Sequence, residues 1–288
     1  MKAMILAAGF GTRLKPYSLL RPKPLFPVLD QPLILRHVEQ LRQAGFASIL
    51  VNCHHLREQI AKLLGGKEEI FLQEESVELG TGGGMRLARD FFGSGPVLVT
   101  NGDIFHTIDL ARVYEKHCVS GNDVSLVLHD YPRFNNVAVD DELRITGFGG
   151  TAAGRKLAFT GIHVLNPGIL AVIPPGIFYN IIDCYRHWLQ NGARICAQMV
   201  QDHFWADMGT PADYLDLHRV LLTKEPFKGT SPFFYGSGVR RPDDLQCRDW
   251  VCVGSDAHIG RKCRLNRVVV WDGARVPDGA ELEDTIVV

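Results

Sequence analysis

Short apolar blocks alternate with stretches whose apolar residues recur at helical spacing through the first half of the chain. The blocks predict strands at Ala3–Ala8, Ser48–Asn52, Ile70–Gln73, Pro96–Thr100 and Val124–His129. The intervening pattern predicts helices near Pro32–Ala44, Leu56–Leu64, Gly84–Phe92 and Leu110–Val119. In the first of these, Pro32 opens the helix, Leu33, Ile34, Val38 and Leu41 share a face, and Gly45 stops it. Strand–helix alternation of this kind implies a mainly parallel sheet covered on both faces. Ligands of such sheets lie beyond the carboxyl ends of the strands. That rule puts Gly9–Arg13, Gln73–Gly84 and Asn101-Gly102-Asp103 along one edge.

The pattern then changes. Val137–Val139, a turn at Asp140-Asp141-Glu142 and Leu143–Thr146 predict an antiparallel hairpin, followed by a strand at Leu157–Leu165. A helix near Tyr179–Gln190 and a strand near Arg194–Val200 come next, and Thr210 caps a helix from Pro211 to about Thr223. Residues 225–250 are rich in proline and glycine and read as a linker. Beyond it, Val253, Ile259 and Leu265 are six apart, and Val270, Val276, Leu282 and Val288 resume the same step. Ala257, Cys263, Val269, Ala274, Ala280 and Ile286 follow them at a fixed offset and are all apolar. This hexapeptide repeat predicts a short parallel β-helix. The expected domains are therefore 1–224, a linker at 225–250 and a tail at 251–288.

Composition narrows the setting. The chain has 288 residues, 46% of them apolar and 22% charged, with a formal charge of −1. Nothing here indicates a nucleic-acid or membrane partner, so anion binding must come from local placement of charge. Seven cysteines, with Cys247 and Cys252 five apart, lack metal-site spacing. Free thiols, an N-terminus that goes straight into a strand, and no apolar run long enough to span a bilayer predict a cytoplasmic protein.

The first strand runs into Gly9-Phe-Gly-Thr-Arg-Leu14, with Arg21-Pro-Lys-Pro24 shortly after. A glycine turn at a strand's carboxyl end presents backbone N–H groups to an anion. Leu14 stands where a dinucleotide fingerprint needs its third glycine, and no Gly-Lys-Ser/Thr follows as in a phosphate-binding P-loop. The segment instead resembles the G-x-G-T-R-(L/M)-x-P-x-T…P-K-P signature of the sugar-1-phosphate nucleotidylyltransferases, or NDP-sugar pyrophosphorylases, with Ser18 in place of the usual Thr. Four further stretches carry the resemblance: Glu78-Leu-Gly-Thr-Gly-Gly-Gly84, the strand ending in Asn101-Gly-Asp103, Phe159-Thr-Gly-Ile162 and Trp205-Ala-Asp-Met-Gly-Thr-Pro211.

The resemblance implies an α/β fold: a Rossmann-like three-layer nucleotidyltransferase domain, with the tail a left-handed parallel β-helix. It implies an Mg²⁺-dependent reaction of an NTP (UTP, GTP or dTTP) with a sugar 1-phosphate. Arg13 and Lys23 would be catalytic, and Asp103 and Asp207 would hold the metal. Leu6, Ala7, Ala8, Gly9, Gly11, Thr12, Glu78, Gly80, Thr81 and Gly82 would bind the nucleotide, and Asn136, Thr160 and Gly161 the sugar. A homo-oligomer joined through the tail, and a product used for cell-wall or surface polysaccharide, are further expectations. Phosphoryl transfer needs alignment and charge neutralisation more than a histidine, so all eleven histidines read as packing or surface residues.

One departure limits the resemblance. Many relatives have Glu-Lys-Pro upstream of Thr-Gly, with the lysine on the sugar phosphate; here the stretch is Gly147-Phe-Gly-Gly150, and Arg155 or Lys156 would have to serve. The Tyr185-Arg-His-Trp188 helix looks like the branch acting on N-acetylmuramate or N-acetylglucosamine 1-phosphate, while a mannose-1-phosphate guanylyltransferase-like branch is the other candidate. A non-catalytic sugar-nucleotide-binding relative and an NDP-sugar-using glycosyltransferase stay as alternatives. Intact Arg13, Lys23, Asp103 and Asp207 disfavour the first, and Gly102-Asp103-Ile104 in place of Asp-x-Asp disfavours the second.

Overall fold

The computed structural model describes residues 1–149 and 154–288. Gly150, the last residue of the Gly147–Gly150 stretch, lies outside the described residues. The chain forms two compact units, one of Met1–Phe10 with His37–Trp205, the other of Gly11–Arg36 with Ala206–Val288.

The first unit is built on a mixed sheet. Strands Lys2–Leu6, Ser48–Cys53, Ile70–Glu74 and Val97–Asn101 are parallel, with Lys2–Leu6 between Val97–Asn101 and Ser48–Cys53. Arg155–Leu165 then runs antiparallel to Val97–Asn101, Val124–His129 and Asn135–Val139. Ile195–Met199 pairs parallel with Val124–His129, and Ile145–Phe148 closes the expected hairpin. Of these, Lys2–Leu6, Ser48–Cys53 and Val97–Asn101 are buried nearly end to end because helices cover them, while Ile70–Glu74 lies at the sheet edge with Phe71 exposed. Met4, Leu50, Val99, Leu126, Leu157 and Tyr185 belong to the core that results.

Two details shape the functional edge. The Gly80–Leu87 helix begins four residues before the expected start, inside the glycine run. Its amides are held by an adjacent segment, since Gly82 and Gly83 N–H donate to Tyr179 O at 2.8 and 3.2 Å. A Cβ at Gly83 would lie 2.6 Å from Ile177 O, so the glycines let helix and backbone meet. The second detail is a register break in Arg155–Leu165 between Phe159 and His163. Upstream of it the strand pairs with Asn135–Val139, and downstream with Val97–Asn101. Gly161 takes φ +79° there, and a Cβ would stand 2.7 Å from Asn101 Nδ2.

In the second unit, strands Gln246–Val253, Arg264–Val270 and Glu281–Val287 stack in parallel with offsets such as Gln246↔Arg264 and Arg264↔Glu281. Phe233–Tyr235 adds a parallel strand at one side, so the stretch 225–250 expected as linker carries strand structure. The repeat positions Val253, Ala257, Ile259, Cys263, Leu265, Val269, Val270 and Val276 are buried. Trp271 ties this stack to the rest of the unit. Its ring lies 4.8 Å from that of Phe26, and its Nε1 donates to Tyr214 Oη at 3.1 Å. Tyr214 sits on the Pro211–Thr223 helix, which Thr210 caps as expected by accepting from Asp213 N–H at 3.1 Å.

Candidate active site

Each unit assembles its own set of the residues singled out above. In the first unit, Leu6 is in register with Asn52 on one side and Asn101 on the other. The chain leaves the sheet at Ala7, whose N–H donates to Asn52 Oδ1 at 2.8 Å. Gly102 N–H donates to Leu6 O at 2.8 Å, which sets Asp103 beside the end of the first strand. Ala8 is half-buried, while Gly9 and Phe10 are exposed. Phe10 rests edge-on against His54 at 5.3 Å between ring centres.

The residues expected around the base and sugar are partly engaged within the fold. Thr81 Oγ1 accepts from Ile181 N–H at 3.0 Å, and the Gly82 amide is bonded to Tyr179 O. Glu78 is exposed, and Gly80, with φ +66°, packs against Phe178 and Tyr179. Thr160 is fully buried, with its hydroxyl donating to Val127 O at 2.8 Å. Its carbonyl accepts from Trp205 Nε1 at 2.9 Å. Gly161 makes room for Asn101, the residue two before Asp103. Asn136 is exposed at the start of its strand.

The buried histidines of this unit are kept neutral. Burial drives His37 down to about 4, outweighing the opposing pull of Asp103, and drives His106 and His163 down to about 3. His129, hydrogen-bonded to His203 at 3.0 Å, is pushed to about 4, mainly by burial. A ring that resists protonation this strongly packs or accepts a hydrogen bond, rather than titrating near neutrality.

In the second unit, Gly11 at φ +60° turns the chain into the Thr12–Leu14 turn, and Thr12 and Arg13 are exposed. A Cβ on Gly11 would lie 3.3 Å from Ser18 Cβ and 3.6 Å from Lys23 Cβ. The turn is therefore packed onto the segment that carries Lys23. Lys23 itself is only 6% exposed. A lysine so enclosed is stable when paired, and Nζ stands 3.3 Å from Asp207 Oδ1. Two motif residues 184 positions apart thus meet. Gly209 makes the approach possible, because a Cβ there would lie 2.6 Å from Asp207 Oδ2 and 3.1 Å from Arg13 Nη2.

The model for nucleotidyl transferases matches residues 2–224. The chain belongs to the nucleotidyl transferase family. This transferase is 31% identical over 315 residues to mannose-1-phosphate guanylyltransferase 1 of Arabidopsis thaliana, covering 100% of this chain and 86% of the relative. It is 26% identical to the UTP–glucose-1-phosphate uridylyltransferase of Synechocystis, covering 100% of this chain and 87% of the relative. A solved putative glucose-1-phosphate thymidylyltransferase from Bacillus anthracis shares the fold, with a TM-score of 0.68, 21% identity, and coverage of 75% of this chain and 93% of that one. The transferases of this family generally use a divalent metal. Asp103 and Asp207 are partly exposed carboxylates, hard oxygen donors of the kind that suits such an ion.

Sequence reading missed Asn52, Glu75 and Gly209. For Asn52 a signal existed, since a buried amide in an otherwise apolar strand is rarely neutral. Gly209 was visible in its motif, but its role needs the fold.

Proposed function

We propose that the protein is a sugar-1-phosphate nucleotidylyltransferase that forms an NDP-sugar and pyrophosphate. Family membership supports the reaction class. The observation that carries the reading further is the Lys23–Asp207 pair at 3.3 Å, which unites a cation and a carboxylate from separate motifs.

In this reading an oxygen of the sugar phosphate attacks the α-phosphorus of the NTP. The bond to the β-phosphate breaks, and pyrophosphate leaves with the electron pair. Arg13 holds the β- and γ-phosphates and the charge that gathers on them. Lys23 bridges the α-phosphate and the attacking phosphate, and Asp207 holds its ammonium in place. Asp103 and Asp207 would hold Mg²⁺, which supplies charge neutralisation of the phosphates when bound. Leu6 to Gly9, Gly11 and Thr12 wall the nucleotide, with Glu78 and Gly80–Gly82 towards the base and Asn136, Thr160 and Gly161 towards the sugar. Because Thr160 and Gly82 already bond within the fold, their part is to shape the wall.

The guanylyltransferase names among the relatives make GTP with mannose 1-phosphate the first pair to test, followed by UTP and dTTP. We further infer a tail that is a left-handed β-helix and joins copies of the chain, supported by its parallel strands and buried repeat positions. All seven cysteines are free, which supports a cytoplasmic setting. Within 154–165, Arg155 is exposed and Lys156 half-buried; Lys156 is the better candidate for the sugar phosphate.

The test is pyrophosphate release by wild type, Asp103→Asn and Lys23→Met. Removing a preorganised charge of this kind lowers kcat by about 10²- to 10³-fold. Near-normal turnover in either variant would overturn the assigned roles.

A further inference from the structure

Beneath the nucleotide edge of the first unit lies a buried carboxylate that the reaction does not use. Glu75 is 1% exposed and Asn52 2% exposed. Asn52 Nδ2 donates to Glu75 Oε1 at 2.8 Å, and Gln73 Nε2 donates to the same oxygen at 3.3 Å. Burial raises the Glu75 carboxyl above its ordinary range, against the opposing pull of the Asn52 and Gln73 amides, the Leu79 backbone N–H and His54. A carboxylate kept in such a place at this cost needs a reason beyond packing.

The pair faces two segments assigned above to the nucleotide. Asn52 Oδ1 takes the N–H of Ala7, the first residue past the sheet. With that oxygen committed, the Asn52 amide must turn its NH₂ towards position 75, and only an acceptor can stand there. On the other side, Gln73 Nε2 also donates to Gly84 O at 2.9 Å, reaching into the Gly80–Leu87 helix. A Cβ at Gly84 would lie 2.7 Å from Glu75 Oε1 and 2.9 Å from Asn52 Nδ2. The glycine at 84 is the space in which the pair sits. One carboxylate oxygen thereby orients two amides, and through them the strand end at Ala7 and the helix at Gly84.

We propose that Glu75 and Asn52 form a positioning pair for the nucleotide: their acceptor–donor order fixes the Ala7 peptide against the Gly80–Leu87 helix and so sets NTP affinity. This rests on the nucleotidylyltransferase reading and adds to it two residues that do not touch the reacting atoms.

The test reverses the order of the pair. Asn52→Asp puts two carboxylates face to face, Glu75→Gln removes the charge, and the double variant restores one donor and one acceptor with the carboxylate on the opposite side. Asn52→Asp is expected to raise the NTP KM about tenfold or more, with kcat and the sugar-phosphate KM within about threefold, as for loss of uniform ground-state binding. The double variant is expected to return the NTP KM to within about threefold of wild type, because the hydrogen bond is remade. Direct titration of each variant with GTP, UTP and dTTP, without sugar phosphate, reads the same pattern without turnover. Should wild type bind NTP but release no pyrophosphate, the function falls while the titrations still decide the pair. An unchanged NTP affinity in folded Asn52→Asp, or a double variant no better than that single, overturns the proposal. So does a uniform fall of kcat with both KM values raised alike. If Asn52→Asp does not fold, Glu75→Met takes its place: it leaves Asn52 Nδ2 without its acceptor and is expected to weaken NTP binding without moving the sugar-phosphate KM.

Discussion

Gly209→Ala separates the geometry of the Lys23–Asp207 corner from the stability of the fold. The added Cβ would lie 2.6 Å from Asp207 Oδ2 and 3.1 Å from Arg13 Nη2. Carbon and heavy-atom neighbours settle near 3.5 Å, so the carboxylate must retreat by about 0.5–1 Å. Gly209 lies outside the left-handed region, so alanine suits its backbone. Restricting the unfolded chain then stabilises the variant by about 0.4–1 kcal/mol. Pushing Asp207 off its rotamer costs about 0.5–1.5 kcal/mol. These nearly cancel, and Tm should move by no more than about 3 °C. Activity should not survive so well, because a displacement of about 1 Å in a positioning group can lower the rate about 10²-fold. The assay is pyrophosphate release at saturating substrates, with Tm from circular dichroism on the same preparation. Turnover within about threefold of wild type at unchanged Tm would refute the claim that Asp207 must sit where Gly209 allows. A fall of more than about 10 °C would refute the cancellation.

Acid should destabilise the protein through its buried histidines. His163 has a folded-state pKa of about 3, lowered by burial, and neither ring nitrogen has a hydrogen-bond partner among the described residues. Between its unfolded value near 6.5 and about 3, the unfolded chain binds a proton that the folded one does not, so stability falls as pH falls, by about 1.4 kcal/mol per unit. Urea melts of His163→Leu should therefore lose about 2 kcal/mol less than wild type between pH 7 and 5; parallel curves would contradict this. Trp271→Ala should cost about 3–5 kcal/mol, because a ring 3% exposed and packed on Phe26 leaves a cavity. Denaturant midpoints check it, and a loss below about 1 kcal/mol would show that the ring bears little of the second unit's packing.

Much of the fold is legible in the sequence. Lys2–Leu6, Ser48–Cys53, Val97–Asn101 and Val124–His129 appear as aliphatic blocks because they are buried on both faces, whereas the edge strand Ile70–Glu74 shows only three apolar residues and leaves Phe71 exposed. The Gly80–Leu87 helix is harder to see. Glycine costs about 1 kcal/mol against alanine in a helix, so Gly80-Thr-Gly-Gly-Gly84 looks like a loop until Tyr179 O is found holding its amides. Phe233–Tyr235 has three residues, too few for any period to show. The candidate site divides in the same way. Arg13, Lys23, Asp103 and Asp207 stand in recognisable motifs, but the meeting of Lys23 with Asp207 is a long-range event of folding. The Glu75–Asn52 pair is hidden for another reason. A Glu among Gln73-Glu-Glu-Ser76 looks like a solvated charge, and only burial shows that one of the two faces inward.

The central claim is nucleotidyl transfer to a sugar phosphate, and the most direct measurement is pyrophosphate release from purified protein with Mg²⁺. ATP, CTP, GTP, UTP and dTTP are each paired with mannose, glucose, N-acetylglucosamine and N-acetylmuramate 1-phosphates. The account predicts pyrophosphate in equal amount to one NDP-sugar, dependent on both substrates and on the metal, and abolished in Asp103→Asn. Pyrophosphate from no pair, or release that needs no sugar phosphate, would contradict it.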